Sequence, residues 1–343
     1  MSDSRSKKSI KDVAAAAKVS VATVSRTMQY PDIVAEATRK RVHEAIRQLR
    51  YTPNAQAQNL RTSKTRLVIA LVPDVANPFY SEVIRGIEQV AHEHRYSILL
   101  GDTQNSVNRE QIYADLIAAR QADGLITLIA HIPKLHVEGR LPVVNACDCV
   151  SDKSISTVSV DNAAAAATAV THLLTLGHRH IAFIAGPSPS PISSDRQRGY
   201  ELAIQQAGIV VDRSLMMAGD YSVESGIRAV EHLYARKLKF SAIFCCNDEM
   251  AIGAIRGIKT NGRRVPEDVS VVGFDDIRFA RYTDPPLTTI SQPKNDLGRE
   301  AMGMLLEILR GGDTPTLKRV LAADLVVRNS TAPPHEGLHR GRR

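Results

Sequence analysis

Residues 10–26 read IKDVAAAAKVSVATVSR, two short amphipathic stretches separated by Lys18-Val19-Ser20. In the first, Ile10, Val13, Ala14 and Ala17 recur at spacings of three and four and make one apolar stripe, the signature of a helix. Ser9 is placed to cap it, with Asp12 in the first turn near the positive end of the helix. Ser20 caps a second helix over 21–28. Two short helices joined by about three residues form a helix-turn-helix. Ala14 is small enough for the helices to cross closely, and Val19 and Val24 fill the space between them. Val21, Ala22, Ser25, Arg26 and Gln29 point outward from the second helix, and Thr23 joins them as a candidate contact. The first residues of such a helix meet base edges in the major groove. Val21 and Ala22 suit thymine methyls, and Arg26 suits guanine or phosphate.

A third helix is expected over 35–49, with Ala37, Val42, Ala45, Ile46 and Leu49 inward and Arg39, Lys40, Arg41 and Arg47 largely outside. The charge agrees with a polyanion-binding module. Residues 1–66 hold 14 Lys and Arg against 5 Asp and Glu, whereas the other 277 hold 30 against 31, so the whole excess of +8 comes from the first fifth of the chain. Helical periodicity and caps distinguish this segment from a solvated basic tail.

The stretch at 10–26, with TRKRVHEAIRQLRYTPNAQAQNLR at 38–61, resembles the lactose-repressor/galactose-repressor family, and the resemblance extends over essentially the whole chain. It implies that Tyr51 and the segment after it belong to the DNA-binding apparatus. Asn54 to Leu60 then matches a hinge helix that folds only on operator DNA, with Leu60 as the wedge between central base pairs and Ala57 as the small residue that lets the helix sit deep in the minor groove. The residues independently suit that role: the segment has little apolar material, a helix so short is marginal alone in water, and apolar wedges kink DNA from the minor groove. Without the resemblance, Leu60 reads equally well as a linker residue.

The remainder alternates strand and helix signals, starting with LVIALVP at 67–73 and continuing through helix 79–94, SILLGD at 97–102, helix 108–121, ADGLITLI at 122–129 and PVVNAC at 142–147. That alternation predicts a doubly wound parallel sheet. The pattern then repeats. IAFIAGP at 181–187 echoes 67–73, Arg198-Gly199-Tyr200-Glu201 echoes Arg85-Gly86-Ile87-Glu88, FSAIFCCND at 240–248 echoes 122–129, and VSVVGFDD at 269–276 echoes 142–147. Two α/β lobes are expected, with a ligand cleft beyond the carboxyl ends of their strands.

The resemblance implies a sensor domain like that of periplasmic sugar-binding proteins, with chain crossings near 161–164, 288–293 and 322–325. The expected organisation is a headpiece over 1–53, a hinge and linker over 54–65 and a sensor over 66–335. Within the sensor, 66–161 with 293–322 forms one lobe and 164–288 with 325–335 the other. It further implies that Phe79, Tyr80, Arg196, Asn247 and Asp275 contact a small effector, with Asp102, Asn145, Asp161 and Gln292 as weaker candidates. Other readings stay open. Asn247-Asp248 can cap a helix, Arg196 can pair with Asp195, Phe79 can be core, and Asp276 reads better as a cap than as a ligand contact.

Cys147 and Cys149, and Cys245 and Cys246, lack zinc-site spacing, so buried thiols are favoured over a metal or redox site and no metal or cofactor is expected. His172, His178 and His180 read as structural. No phosphate loop, zinc-protease motif, nucleophile elbow or dinucleotide fingerprint is found, which argues against an enzyme. The polar, basic start lacks an export signal, and apolar runs are strand-sized, so a cytoplasmic protein is expected. That start and the headpiece also argue against an exported solute-binding protein. The tail, HEGLHRGRR at 335–343, lacks a leucine heptad, so a homodimer is expected, matching a palindromic operator. The sequence therefore points to a transcription regulator, with a repressor expected, whose partners are operator DNA and a sugar or a nucleoside or base. VPDVANPFYSEVIRGIE, LLGDTQN and ARYTDPPLTTISQP lean toward nucleoside- and purine-responsive members. A DNA binder that responds to no ligand is the alternative.

Overall fold

Ser9 and Asp12 close a reciprocal capping box: the Ser9 backbone N–H donates to Asp12 Oδ2 at 2.8 Å, and the Asp12 N–H to Ser9 Oγ. It starts α1 (Ile10–Ala17), which ends at Lys18 in the left-handed region. Ser20 then caps α2 (Val21–Gln29), and α3 (Glu36–Leu49) completes a small helical unit. Val13, Ala14, Ala17, Val24, Val42 and Ala45 form its core, with Val19, Ile46, Leu49 and Tyr51 packed at the edge. Two expectations are corrected. Ala37 is exposed, because it lies one turn before Arg41 on the solvent side of α3. Ser25 is buried, because it shares the inward face of α2 with Met28, three residues on.

The computed structural model describes residues 8–52, 64–135, 142–147, 152, 154–311 and 316–335. The chain divides into two compact units, Met1–Thr65 and Arg66–Arg343. The second unit contains two six-stranded sheets. The first is built from β1 (Leu67–Val72), β2 (Ser97–Asp102), β3 (Gly124–Thr127), β4 (Val143–Ala146), β5 (Ser156–Val160) and β11 (Lys318–Leu321), in the order β11-β5-β4-β3-β1-β2. The second is built from β6 (Ile181–Ile184), β7 (Met216–Met217), β8 (Ala242–Cys245), β9 (Ser270–Asp275), β10 (Thr288–Ser291) and β12 (Asp324–Val326), in the order β12-β10-β9-β8-β6-β7. Among the described residues, every pairing is parallel except that of β12 with β10. Strands flanked on both faces by helices lose their alternation and read as continuous apolar runs, as LVIALV does.

In the first lobe, α4 (Pro78–Glu93), α5 (Val107–Ala118) and α10 (Lys294–Arg310) flank the sheet. In the second, α6 (Asn162–Thr175) pairs with α7 (Pro191–Gln206), and α8 (Val223–Ala235) with α9 (Asp248–Thr260). The chain passes between lobes after β5, after β10 and between β11 and β12. The repeated Arg-Gly motif has a packing cause. A Cβ on Gly86 would stand 2.0 Å from the Asn295 carbonyl oxygen of α10, and one on Gly199 2.1 Å from the Ala163 carbonyl oxygen of α6. In each lobe this glycine lets one helix backbone touch another.

Candidate functional site

On the headpiece, Val21, Ala22 and Arg26 are exposed along α2, and Thr23 is half-buried with its N–H donating to the Ser20 cap. Gln29 is the last residue of that helix, and Tyr51 is half-buried against the headpiece core. Ser25 is only 7 % exposed, so the outward set is narrower than the sequence suggests. Thr27, also buried, donates to the Thr23 carbonyl at 2.9 Å. Asn54, Ala57 and Leu60 lie outside the described residues.

In the second unit, a cleft of about 480 Å³, partly open to solvent, is lined from the first lobe by Asn77, Phe79, Tyr80 and Cys147 and from the second by Asn162, Ile192, Arg196, Tyr221, Asn247 and Asp275, with Gln292 on a crossing segment. The five principal candidates and Gln292 are therefore brought together.

Arg196 comes from α7 and is 5 % exposed. Its Nε donates to Asn162 Oδ1 at 2.9 Å, Nη1 donates to the Cys246 carbonyl, and the guanidinium lies 3.6 Å over the Phe274 ring. Nη1 also stands 3.5 Å from Asp275 Oδ1. Arg196 does not pair with Asp195, which holds Arg198 at 2.8 Å. Asp275 ends β9 with φ +117 and accepts from Gln292 Nε2 at 2.7 Å. Burial raises its carboxyl above the usual range, while Arg196, Lys294 and Gln292 pull it back.

Asn247 does two jobs. Its Oδ1 caps α9 by accepting from the Met250 N–H at 3.0 Å, and its Nδ2 donates to the Tyr221 carbonyl at 2.9 Å, fixing that residue at the cleft wall. Phe79 likewise is both core and lining, in edge contact with Tyr80 at 5.2 Å between ring centres. Asn77 caps α4 through Oδ1 and reaches across the lobes with Nδ2, which donates to Glu249 Oε2 at 3.1 Å. Burial, then Asp275, Asp74 and Glu224, push Glu249 up to about 7.

The weaker candidates separate. Only Gln292 lines the cleft among the described residues. Asp161 caps α6 by accepting from the Ala164 N–H, buried Asn145 donates to Thr127 and Ile129 at the ends of the first sheet, and Asp102 accepts from Val75 and Gln104. Asp276 is not a cap: it pairs with Arg328 at 2.6 Å, because the turn that follows is capped at Ile277. Cys147, Cys245 and Cys246 are buried, and Cys149 lies outside the described residues. His178 is buried between Ser241, Ser270 and the Ala332 carbonyl, and His172 meets Thr331, so both secure the C-terminal segment. Asn162, Tyr221 and the Asn77–Glu249 contact escape the sequence reading. Asn162 adjoins the candidate Asp161, but nothing in the sequence distinguishes Tyr221, which enters the cleft from a loop at φ +70.

A profile described as "Bacterial regulatory proteins, lacI family" matches residues 9–54, and one for a periplasmic binding protein-like domain matches 170–331. The HTH-type transcriptional repressor CytR of Escherichia coli (strain K12) is 40 % identical over 326 residues, 94 % of this chain and 96 % of the relative. The chain belongs to the lacI family. Among solved structures, the lac repressor dimer bound to operator and the anti-inducer ONPF is 28 % identical with a TM-score of 0.82, covering 95 % of this chain and 99 % of that one. A transcriptional regulator CelR–cellobiose complex is 32 % identical with a TM-score of 0.70, covering 94 % and 99 %. This lacI-family chain is thus a sequence-specific DNA-binding transcription regulator and not an enzyme. None of its described helices is long and apolar enough to cross a membrane.

Proposed function

We propose that this regulator acts in the cytoplasm as a homodimeric repressor, reading a palindromic operator with α2 and the 54–60 hinge, and that a neutral ring-bearing effector in the cleft sets its affinity for DNA. The observation that carries the effector reading is the buried Arg196–Asp275 pair facing a cleft lined by Phe79, Tyr80 and four amide side chains, those of Asn77, Asn162, Asn247 and Gln292. The charges of the pair cancel, the amides each donate and accept, and the aromatic rings offer flat apolar faces. A ring carrying hydroxyls or N–H and C=O groups satisfies such walls, which describes sugars and nucleosides or their bases. The likeness to a regulator solved with cellobiose supports the same class.

Closure of the lobes on the effector changes the spacing of the two hinge segments of a dimer, which must meet to fold together on DNA. Coupling of ~1–3 kcal/mol, or about 5–150-fold in DNA affinity, is typical of such linkage. The test is a thermal-shift screen against sugars, sugar phosphates, nucleosides and bases. A ligand at about 100 times its Kd adds ~2.7 kcal/mol. A hit in one class that also changes affinity for an operator selected from random DNA supports the proposal. Operator binding that no compound in these classes alters overturns the effector reading.

A further inference from the structure

The strongest unexplained feature beside the cleft is a buried cation behind it. Lys294 is the first residue of α10, whose backbone is fixed to the first lobe by its close approach to Gly86 of α4. Its side chain is 4 % exposed and turns the other way, to the second lobe. There Nζ donates to the carbonyl oxygens of Asp275 at 2.5 Å and Asp276 at 2.9 Å. Glu82 of α4 stands 4.0 Å away. A buried ammonium is costly unless surrounded by acceptors, so this arrangement is a built feature and not a stem folded away from water.

We propose that Lys294 is a positioning residue that holds the Asp275 carboxylate in the cleft from across the lobe boundary. The turn it grips is strained: Asp275 and Asp276 are both non-glycine residues at positive φ, +117 and +52, and such conformations persist only where surrounding contacts over-determine them. Within the second lobe the turn is held by Asp248, whose Oδ2 accepts from the Ile277 N–H at 2.8 Å while Oδ1 accepts from Thr289 Oγ1 at 2.5 Å. Lys294 supplies the opposing grip from the first lobe. Its charge also favours the ionised form of Asp275, together with Arg196 and against burial. A movement of α10 relative to the second lobe therefore reaches Asp275 directly, and an effector that pulls on Asp275 reaches α10. The effector half of this inference rests on the role proposed above for Asp275; the mechanical half does not.

The test uses hydrogen exchange of the full chain without any effector, comparing wild type with Lys294→Met and Lys294→Arg. Loss of the ammonium is expected to speed exchange of the amides over 276–282 about tenfold, with both sheets unchanged and with the arginine variant restoring most of the protection. Unchanged exchange over 276–282, an equal rise throughout both sheets, or a loss that arginine does not restore overturns the proposal. If Lys294→Met does not fold, Lys294→Gln, which keeps a donor but loses charge and reach, is read by the same criteria. Because no effector is present, a failure here is separate from a failed effector screen.

Discussion

Arg196 Nη1 and Asp275 Oδ1 stand 3.5 Å apart, close enough to attract and too far for a well-formed hydrogen bond. Each is instead anchored by a neutral neighbour, Arg196 by Asn162 and Asp275 by Gln292. The pair is held apart in the cleft wall, with donors on one side and acceptors on the other. That arrangement orients a polar ligand edge without the ligand having to break a closed ion pair.

Removing one member of this pair leaves a buried charge. Arg196→Met strips Asp275 of the neighbour that most favours its ionised form, and loss of one partner from a buried pair costs ~3–5 kcal/mol. Asp275→Asn keeps the shape and the contact with Gln292 and is expected to cost less, because burial already raises the Asp275 carboxyl. Both variants are expected to weaken effector binding by more than about tenfold, the loss of ~1.4 kcal/mol or more that hydrogen bonds to charged groups provide. Thermal denaturation and titration calorimetry with the responding compound check both halves. Equal stability loss in the two variants would contradict the account.

Glu249 makes the lobe contact with Asn77 sensitive to pH. Its carboxyl is raised from 4.5 to about 7, so the folded chain holds a proton that the unfolded chain releases in that interval. Its contribution is therefore fully present below 4.5 and lost as pH rises through 7. Glu249→Gln is expected to remove that part of the slope. His178 works in the opposite sense, since burial lowers its imidazole below 6.5 and its contribution is lost as pH falls below that value. The quantity to measure is the difference in unfolding midpoint between wild type and Glu249→Gln across pH 4.5 to 8. A constant difference would remove Glu249 from the account.

The lobes were legible in the sequence because their cause is periodic. Strands buried on both faces produce runs such as LVIALV, and a helix pair that must touch backbone to backbone demands glycine, so Gly86 and Gly199 recur in Arg-Gly motifs. Asn247 and Asp275 were legible as polar residues at strand ends that match the family's pattern, and Arg196 through the family resemblance alone. Tyr221 and the Asn77–Glu249 contact were not, since both depend on how distant loops meet. Ser25 reads as outward from its polarity for a similar reason: the second helix packs over a wider sector than its apolar residues mark, and small polar residues hide at the margin of such a face. A polar residue before a helical turn, as Asp276 is, reads as a cap, whereas its actual partner Arg328 lies 52 residues further on.

Gly186 tests whether Tyr221 shapes the cleft. A Cβ at Gly186 would lie 2.4 Å from Tyr221 Cζ, so alanine there forces the ring to move. The ring is hemmed in by its cleft neighbours, and its backbone carbonyl is held by Asn247. Gly186→Ala is expected to cost ~1–3 kcal/mol, the usual range for overpacking, and to weaken effector binding. Gly186→Ala combined with Tyr221→Ala is expected to lose less stability than the two single losses added together, because truncating the ring removes the clash as well as its packing, and binding is not recovered. Calorimetric unfolding of the single and double variants gives the first comparison and ligand titration the second. Additive losses in stability would mean that the two residues do not compete for the same space.

The narrowed outward face of α2 separates two adjacent residues by function. Arg26 is exposed, whereas Ser25 is 7 % exposed beside the headpiece core. Arg26→Ala is therefore expected to act on DNA alone. If Arg26 meets a guanine, the cost is ~1–3 kcal/mol with relaxed preference at one operator position; if it meets phosphate, all sequences weaken together and the salt slope falls by about one. Ser25→Ala removes a polar group from a nearly buried position, so its effect is expected in headpiece stability, with base preference unchanged. Selection of operators from random DNA by each variant, followed by binding over a salt series, distinguishes these outcomes. A changed base preference for Ser25→Ala would require α2 to rotate or loosen on DNA, exposing a residue that the free headpiece buries.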